Sequence, residues 1–391
     1  MKNNSAVSPG KSDGSQIRGA TTEEERREFR RRLLEWFDDH QRDLPWRHVG
    51  DPYAVWVSEV MLQQTRVATV VDYFENWMER FPTVEALADT AVEEVLEMWS
   101  GLGYYRRARY LHQAARQIVD ECGGEIPAEV DELQKLPGIG PYTAGAVASI
   151  AFGRREPLVD GNVMRVVARL FGIEGPPKRS PANNEIWQRA EELVDPDRPG
   201  DFNQGLMELG SEVCTTSGPR CGSCPVRPWC RGYATGDPEQ FPGGRDRPEQ
   251  RPMRARCCVV YRTDEAGNYQ FLLRRRPEKG LLGGLWEFPG FECEGTEWPE
   301  KALLAGRIQE GIANEGRCPE VEPGESLGSL THLFSHRRLK LRVHQWSLDE
   351  IDAAGAVDEG WRWVDDEDLS GVASAALLGK IEELWRRHRS S

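Results

Sequence analysis

Leu136-Pro137-Gly138-Ile139-Gly140-Pro141-Tyr142-Thr143-Ala144 is the stretch whose reading decides the fold. Pro137 disfavours helical backbone at Leu136 and so ends the helix that precedes it. Gly138 and Gly140 can take positive φ, and without a Cβ their N–H groups can be approached closely. Pro141 suits the first turn of the next helix, where its missing N–H costs nothing. The stretch predicts helix, tight glycine turn, helix, with bare amides at a helix N-terminus able to hold a phosphate. After an apolar run comes Val159-Asp160-Gly161-Asn162-Val163, where Asp160 is placed to cap the following helix and keep its negative charge there. An ordinary helical hairpin with an N-cap Asp shares this local pattern, so features elsewhere in the chain decide between them.

The 391 residues allow two or three domains with real cores. No run approaches the ~20 apolar residues of a membrane helix, and the N-terminus is polar. A cytoplasmic monomer away from membranes is expected. The net charge of −14 opposes nucleic-acid binding, because neutralised phosphates supply much of that affinity. Binding needs only a local patch, however. Arg42 and Arg47 flank one motif, Arg106, Arg107 and Arg109 follow another, and Arg154, Arg155, Arg165 and Arg169 surround Asp160.

Residues 1–22 carry no apolar periodicity and are expected to be disordered. From Thr22 the pattern is helical, with Phe29, Leu33, Trp36 and Phe37 on one face. A second helix is expected from Val55 to Thr69, and another from Val84 to Trp99, restarted by a Thr90–Glu93 capping box. Gly101-Leu102-Gly103-Tyr104-Tyr105-Arg106-Arg107 joins glycines, tyrosines and arginines in one loop, which suits base stacking and phosphate contact, or else a helix C-cap with Tyr on the core. Residues 234–254 read as a linker. From Arg256 the period is that of strands: a hairpin over 257–275, strands at 326–334 and 339–347, and helices over 299–315 and 374–388. An all-α half is thus joined to an α+β half.

Glu59, in Val57-Ser58-Glu59-Val60-Met61, is a carboxylate bordered by apolar residues: a candidate for a raised pKa, or else an ordinary exposed helical Glu. Cys214, Cys221, Cys224 and Cys230 follow C-x6-C-x2-C-x5-C. Four thiolates so close suit an iron–sulfur cubane or a zinc ion.

That cysteine spacing matches the iron–sulfur loop of the endonuclease III and MutY group of base-excision DNA glycosylases. With it, residues 23–233 resemble the helix–hairpin–helix region of that group, with the cluster loop at 212–232. Trp56-Val57-Ser58-Glu59-Val60-Met61-Leu62-Gln63-Gln64-Thr65 looks like the adenine-specific MutY branch. The resemblance implies a [4Fe–4S] cluster, Glu59 as general acid, and Asp160 as the carboxylate that supports the sugar cation. It implies that Gln64 and Tyr104 enter the duplex at the lesion, that Thr65 and Leu102 lie near the opposite base, and that Gly138 and Gly140 hold the backbone. Members that also cut the strand carry a Lys where this chain has Tyr142, which cannot form an imine. Tyr142 can hydrogen-bond Asp160 or the departing sugar, so no strong lyase activity is expected. A protonated Glu59 should donate to adenine N7, which requires its site to raise a reference pKa of ~4.3 by roughly two. Asp160 should stay charged.

Residues 255–391 resemble a Nudix-type domain, as at the carboxyl end of MutY proteins. Gln309-Glu310-Gly311-Ile312-Ala313-Asn314 falls at the metal-binding box, and Ala313 and Asn314 replace its two carboxylates. A fold kept for recognition is implied, without nucleotide hydrolysis. Phe334-Ser335-His336 matches the MutY loop that contacts 8-oxoguanine, and Ser335 can donate and accept there. The expectation is an adenine glycosylase acting on duplex DNA with A opposite 8-oxoguanine or G. The rivals are a pyrimidine-specific endonuclease III-like glycosylase/lyase, a non-catalytic lesion-binding protein and a Nudix pyrophosphohydrolase. Tyr142 and the extra domain argue against the first.

Overall fold

The computed structural model describes residues 19–389, apart from 48–49, 245–249, 265, 278–279, 313–323, 325, 335 and 349–359. Its helices are α1 Glu23–His40, α2 Pro52–Leu62, α3 Val67–Arg80, α4 Val84–Ala88, α5 Val92–Met98, α6 Arg106–Cys122, α7 Val130–Leu133, α8 Pro141–Phe152, α9 Gly161–Phe171, α10 Ala182–Leu193, α11 Pro199–Glu212, α12 Arg231–Ala234, α13 Lys301–Ile312 and α14 Ala376–Arg389. The strands are β1 Arg251–Thr263, β2 Tyr269–Arg275, β3 Trp286–Glu287, β4 Gly290–Glu294, β5 Ser326–Leu333, β6 Arg337–Ser347 and β7 Trp361–Asp365. The chain divides into two compact units, Met1–Asp89 with Gln113–Asp246, and Thr90–His112 with Arg247–Ser391. No helix among the described residues is long and apolar enough to cross a membrane.

The first unit is helical, and its helices start where side chains can satisfy their free amides. Thr22 and Glu25 form a reciprocal capping box on α1. Asp51 caps α2 through the amides of Tyr53 and Ala54, with Pro52 at the first helical position. Phe29 and Leu33 of α1, Val163, Val166 and Val167 of α9, Ile186 of α10 and Phe202 and Leu206 of α11 form a continuous core. The expected second helix stops at Leu62 instead of reaching Thr69. Gln63 turns extended at ψ 108° and Gln64 takes φ +60°, which breaks the hydrogen-bond ladder.

In the second unit a seven-stranded sheet runs β3-β2-β1-β6-β5, with β4 also on β1 and β7 on β2. Only β1 and β6 are parallel among the named pairs. Met253, Ala255 and Cys257 stand beside Leu339, Leu341 and Val343, and all six face a core closed by Leu378, Ile381 and Trp385 of α14. The alternate residues Cys258 and Val260 face the other way, onto Leu304 and Ile308 of α13. Thr90–His112, expected with the helical half, groups here: Tyr105 donates to the Ser374 carbonyl, Arg109 to the Gly283 carbonyl at 2.8 Å, and Arg275 to Glu93 at 2.8 Å. The expected helix over 84–99 is two helices. The N-cap of α5 is Ala91, with no side-chain cap, rather than Thr90, and the Thr90 carbonyl accepts from the His112 ring at 2.9 Å.

Candidate active site

The glycine turn forms as its residues require. Gly138 sits at φ +79°, and Gly140 is the N-cap of α8 with open space where a Cβ would stand. Pro141 follows at the first helical position, and Tyr142 on that first turn points inward to α2. Its hydroxyl donates to Glu59 Oε2, with Met207 Sδ at 3.8 Å. Tyr142 was expected to pair with Asp160 or the sugar; its partner is Glu59. Burial, then the nearby charges of Glu59 and Asp160, push the phenol well above tyrosine's ordinary range, so it stays a donor.

Glu59 lies on α2 and is 5% exposed. Burial pushes its carboxyl from 4.5 up to about 7. The Tyr142 hydrogen bond pulls the other way, the Asp160 charge adds to the rise, and the more distant Arg47 charge opposes it. The shift matches what sequence reasoning required of a general acid. Asp160 is the N-cap of α9: Oδ1 accepts from the amides of Asn162 at 2.9 Å and Val163 at 2.7 Å, and Oδ2 from the Asn162 side chain at 2.9 Å. Burial moves Asp160 above the ordinary aspartate range, against those three hydrogen bonds and the Arg165 charge. Asn162 is in turn held by Arg165 at 2.9 Å. A Cβ on Gly210 would come within 2.6 Å of the Asn162 Cβ, so α11 approaches this corner only because position 210 is glycine.

Arg42 and Arg47, read as part of a phosphate patch, instead embrace Glu208 of α11. Arg42 donates to Oε1 at 2.6 Å and Oε2 at 3.0 Å, and Arg47 to Oε2 at 2.7 Å. Glu208 is 1% exposed, and these hydrogen bonds outweigh its burial to hold it below the usual carboxylate range. Arg169 is likewise buried, and the half-buried Arg165 donates to the carbonyls of Gly210 and Cys214 at 2.7 Å each. Arg154 pairs with Glu129 at 2.6 Å, and Arg155 is exposed.

Gln64 is exposed at the turn after α2, and Thr65 is half-buried beside it. Gln63 ties this turn to α8 by donating to Thr143 Oγ1 at 3.2 Å. In the second unit Tyr104 is 45% exposed at φ +47°, with the Arg107 guanidinium 5.7 Å from its ring centre. Leu102, expected beside the opposite base, is buried, 6% exposed. Phe334 follows β5, half-buried against His332, and its amide donates to the Arg337 carbonyl at 2.8 Å. His336 is exposed. Ser335, Ala313 and Asn314 lie outside the described residues.

Cys214, Cys221, Cys224 and Cys230 line one small cavity with Arg169 and Arg227. Among the described residues no set of three or more His, Cys, Asp or Glu side chains is drawn together closely enough to hold a metal ion as it stands. The donor set nevertheless fits a thiolate-bound cluster. Burial and one another's charges push the Cys224 and Cys230 thiols up to about 12 and about 11, an environment in which thiolates persist only with a cationic partner. Arg169, 2% exposed, donates to Cys214 Sγ at 3.3 Å and to the Thr215 carbonyl at 2.7 Å. α9 therefore carries Asp160 at its start and grips the cysteine loop through Arg165 and Arg169.

The HhH-GPD superfamily of base excision DNA repair proteins matches residues 57–192, and the NUDIX domain matches residues 257–384. The chain is 40% identical over 408 residues to the adenine DNA glycosylase of Mus musculus, covering 92% of this chain and 78% of that one. It is 38% identical to the adenine DNA glycosylase of Homo sapiens, over 92% and 74% of the two chains. For the adenine DNA glycosylase of Arabidopsis thaliana the identity is 37%, over 96% and 67%. Among solved structures, a thermostable thymine-DNA glycosylase is similar at 31% identity and a TM-score of 0.50, over 54% of this chain and 97% of that one.

Proposed function

The chain belongs to the family of adenine DNA glycosylases, and from that premise we propose that it excises adenine standing opposite 8-oxoguanine or guanine in duplex DNA, as a monofunctional glycosylase in base excision repair. The observation that carries this reading is the buried Glu59 carboxyl, raised to about 7 and bonded to Tyr142, electrostatically coupled to Asp160 at the start of α9. Glu59 in its protonated form donates to N7 of the extruded adenine, so the base leaves neutral rather than as an anion. Asp160, its oxygens fixed by three donors, stabilises the positive charge that develops on the sugar. The ionised Glu59 then orients water for attack. Tyr142 occupies the position where a strand-cutting relative would need an amine, and its phenol cannot form an imine. Gly138 and Gly140 offer amides to the DNA backbone. Gln64 and, in the second unit, Tyr104 are the groups that can enter the duplex where adenine has left, and Thr65, next to Gln64, would lie near the opposite base.

Cys214, Cys221, Cys224 and Cys230 would hold a [4Fe–4S] cluster, which would supply thiolate–iron cross-links across the loop that Arg169 grips. The Phe334–His336 turn of the Nudix-like unit reads the opposite base: oxidation converts guanine N7 from acceptor to N–H donor and adds O8, a change a hydroxyl can register.

Single-turnover assays on duplexes with A opposite 8-oxoguanine, G and T, with and without alkali, test the proposal. Alkali-dependent strand scission at A opposite 8-oxoguanine and G is expected, with little at T. Strand cutting without alkali, or efficient borohydride trapping of a covalent adduct, would refute the monofunctional assignment. Mismatch binding without turnover would favour a lesion-binding protein.

A further inference from the structure

The outward face of the sheet in the second unit is basic along half its length. Pairing sets Pro252, Arg254 and Arg256 of β1 beside Arg338, Lys340 and Arg342 of β6. Directly paired residues share a face of the sheet. The residues between them, Met253, Ala255, Leu339 and Leu341, are in the core, so Arg254, Arg256, Arg338, Lys340 and Arg342 all lie on the opposite face. On the next strand out, Ser329, Thr331 and Leu333 of β5 stand opposite Arg342, Lys340 and Arg338, and all three are exposed. That patch of β1, β5 and β6 therefore carries five cations and two hydroxyls and no carboxylate.

Trp298 gathers three of these cations. The guanidinium carbons of Arg342, Arg254 and Arg256 lie 4.1, 5.4 and 5.9 Å from its ring centre. None of the five forms an ion pair with a described carboxylate; Arg337, at the strand's start, does, with Glu294 at 3.3 Å. Arg256 donates to the Pro299 carbonyl at 2.7 Å and lies against His344 at 3.2 Å, and Arg254 donates to the Met253 carbonyl at 3.3 Å. Three mutually repelling guanidinium groups are thus held against one indole with no counter-charge among the described residues, in a chain whose net charge is −14. That arrangement is organised for an external polyanion.

We propose that this face is a phosphate-binding tract for the duplex flanking the lesion. The inference rests on the function proposed above, and it extends the DNA contact beyond the Phe334–His336 turn, from which β6 runs directly onto the tract. From Arg338 to Arg342 the strand covers roughly 13 Å, the rise of about four base pairs. Arginine presents a planar fork that suits phosphate, and the hydroxyls of Ser329 and Thr331 can donate to the same oxygens.

The test is the salt dependence of binding by the full chain to a duplex of about 30 base pairs with A opposite 8-oxoguanine, in a Glu59→Gln background that keeps the base in place. Each lost phosphate contact lowers the slope of log K against log salt by about 0.9. The triple substitution Arg254→Gln, Lys340→Gln, Arg342→Gln is expected to lower it by about 2.7, and the exposed single Lys340→Gln by about 0.9. On wild-type Glu59, excision at saturating enzyme stays unchanged. An unchanged slope in Lys340→Gln, or in a triple variant that melts as the parent does, overturns the tract. Loss of polyglutamate binding with an unchanged DNA slope would also overturn it, in favour of an acidic protein partner. Absence of adenine excision by the wild-type chain would sink the proposed function instead, while the slope on the same duplex still tests the tract.

Discussion

If Glu59 is the acid, the pH dependence of excision is set by the same burial that raises its pKa. With the carboxyl at about 7, roughly a quarter of the protein carries the proton at pH 7.5. At its ordinary value of 4.5 the fraction would be about one in a thousand. Burial on α2 therefore supplies about two hundred times more competent acid at neutral pH. The sign is fixed: the active form is the protonated one, so the rate is flat below about 7 and falls tenfold for each pH unit above it. Single-turnover excision at sub-saturating enzyme reports the free enzyme's groups, and the profile should be taken from pH 5.5 to 9. Glu59→Gln cannot deliver a proton, and it should lose about two to four orders of magnitude across the range while still binding DNA. Tyr142→Phe removes the hydrogen bond that favours the ionised carboxylate, so its falling limb should move to higher pH. A wild-type rate that holds constant to pH 9, or a Tyr142→Phe limb displaced to lower pH, refutes the reasoning.

Asp160→Asn removes the negative neighbour that helps hold Glu59 protonated, so besides a lower rate its limb should move to lower pH, measured in the same profile. Gly210→Ala forces a Cβ against Asn162 and should cost about 1–3 kcal/mol in urea denaturation, with excision impaired more than DNA binding. Cys224→Ser should lose iron and its visible absorption; because Arg165 and Arg169 tie the cysteine loop to α9, excision should fall with it. Glu208→Gln leaves Arg47, whose side chain is 7% exposed, without its ionic partner and should destabilise the fold by about 3–5 kcal/mol, read from denaturation midpoints.

Much of this architecture was legible because its signals are local. Pro137, Gly138, Gly140 and Pro141 constrain their own backbone, and the turn they specify is the one found. Asp160 caps the helix it precedes. The apolar flanks of Glu59 marked it as a candidate for burial, against the exposed helical Glu that such a lone residue more often is, and it is buried. What was missed depends on partners far along the chain. Arg42 and Arg47 look like surface cations until Glu208, more than 160 residues away, claims them. Glu208 sits between Met207 and Leu209 and carried the same apolar-flank signal as Glu59, so that pattern could have found it. Asn162 was visible as the second residue after the capping Asp, yet its hold on Asp160 depends on a chain turn that residue types alone do not specify. The end of α2 was misjudged because Gln63 and Gln64 are good helix formers, and a tertiary tie from Gln63 to Thr143 overrides that preference.

The two buried glutamates explain one another. Both lie inside the helical unit, and for both burial alone would raise the pKa, yet they end in opposite states. Glu208 receives two guanidinium groups directly and stays ionised; Glu59 receives a neutral phenol and feels Arg47 only at a distance. A free Arg47 beside Glu59 would hold that carboxyl ionised and abolish it as an acid at neutral pH. Arg47 instead donates to Glu208, so a cation whose charge is felt at Glu59 is paired with another carboxylate. If Glu59 is the acid, its proton depends on the Arg47–Glu208 ion pair as well as on its own burial, and Glu208→Gln should move the falling limb of the pH profile to lower pH.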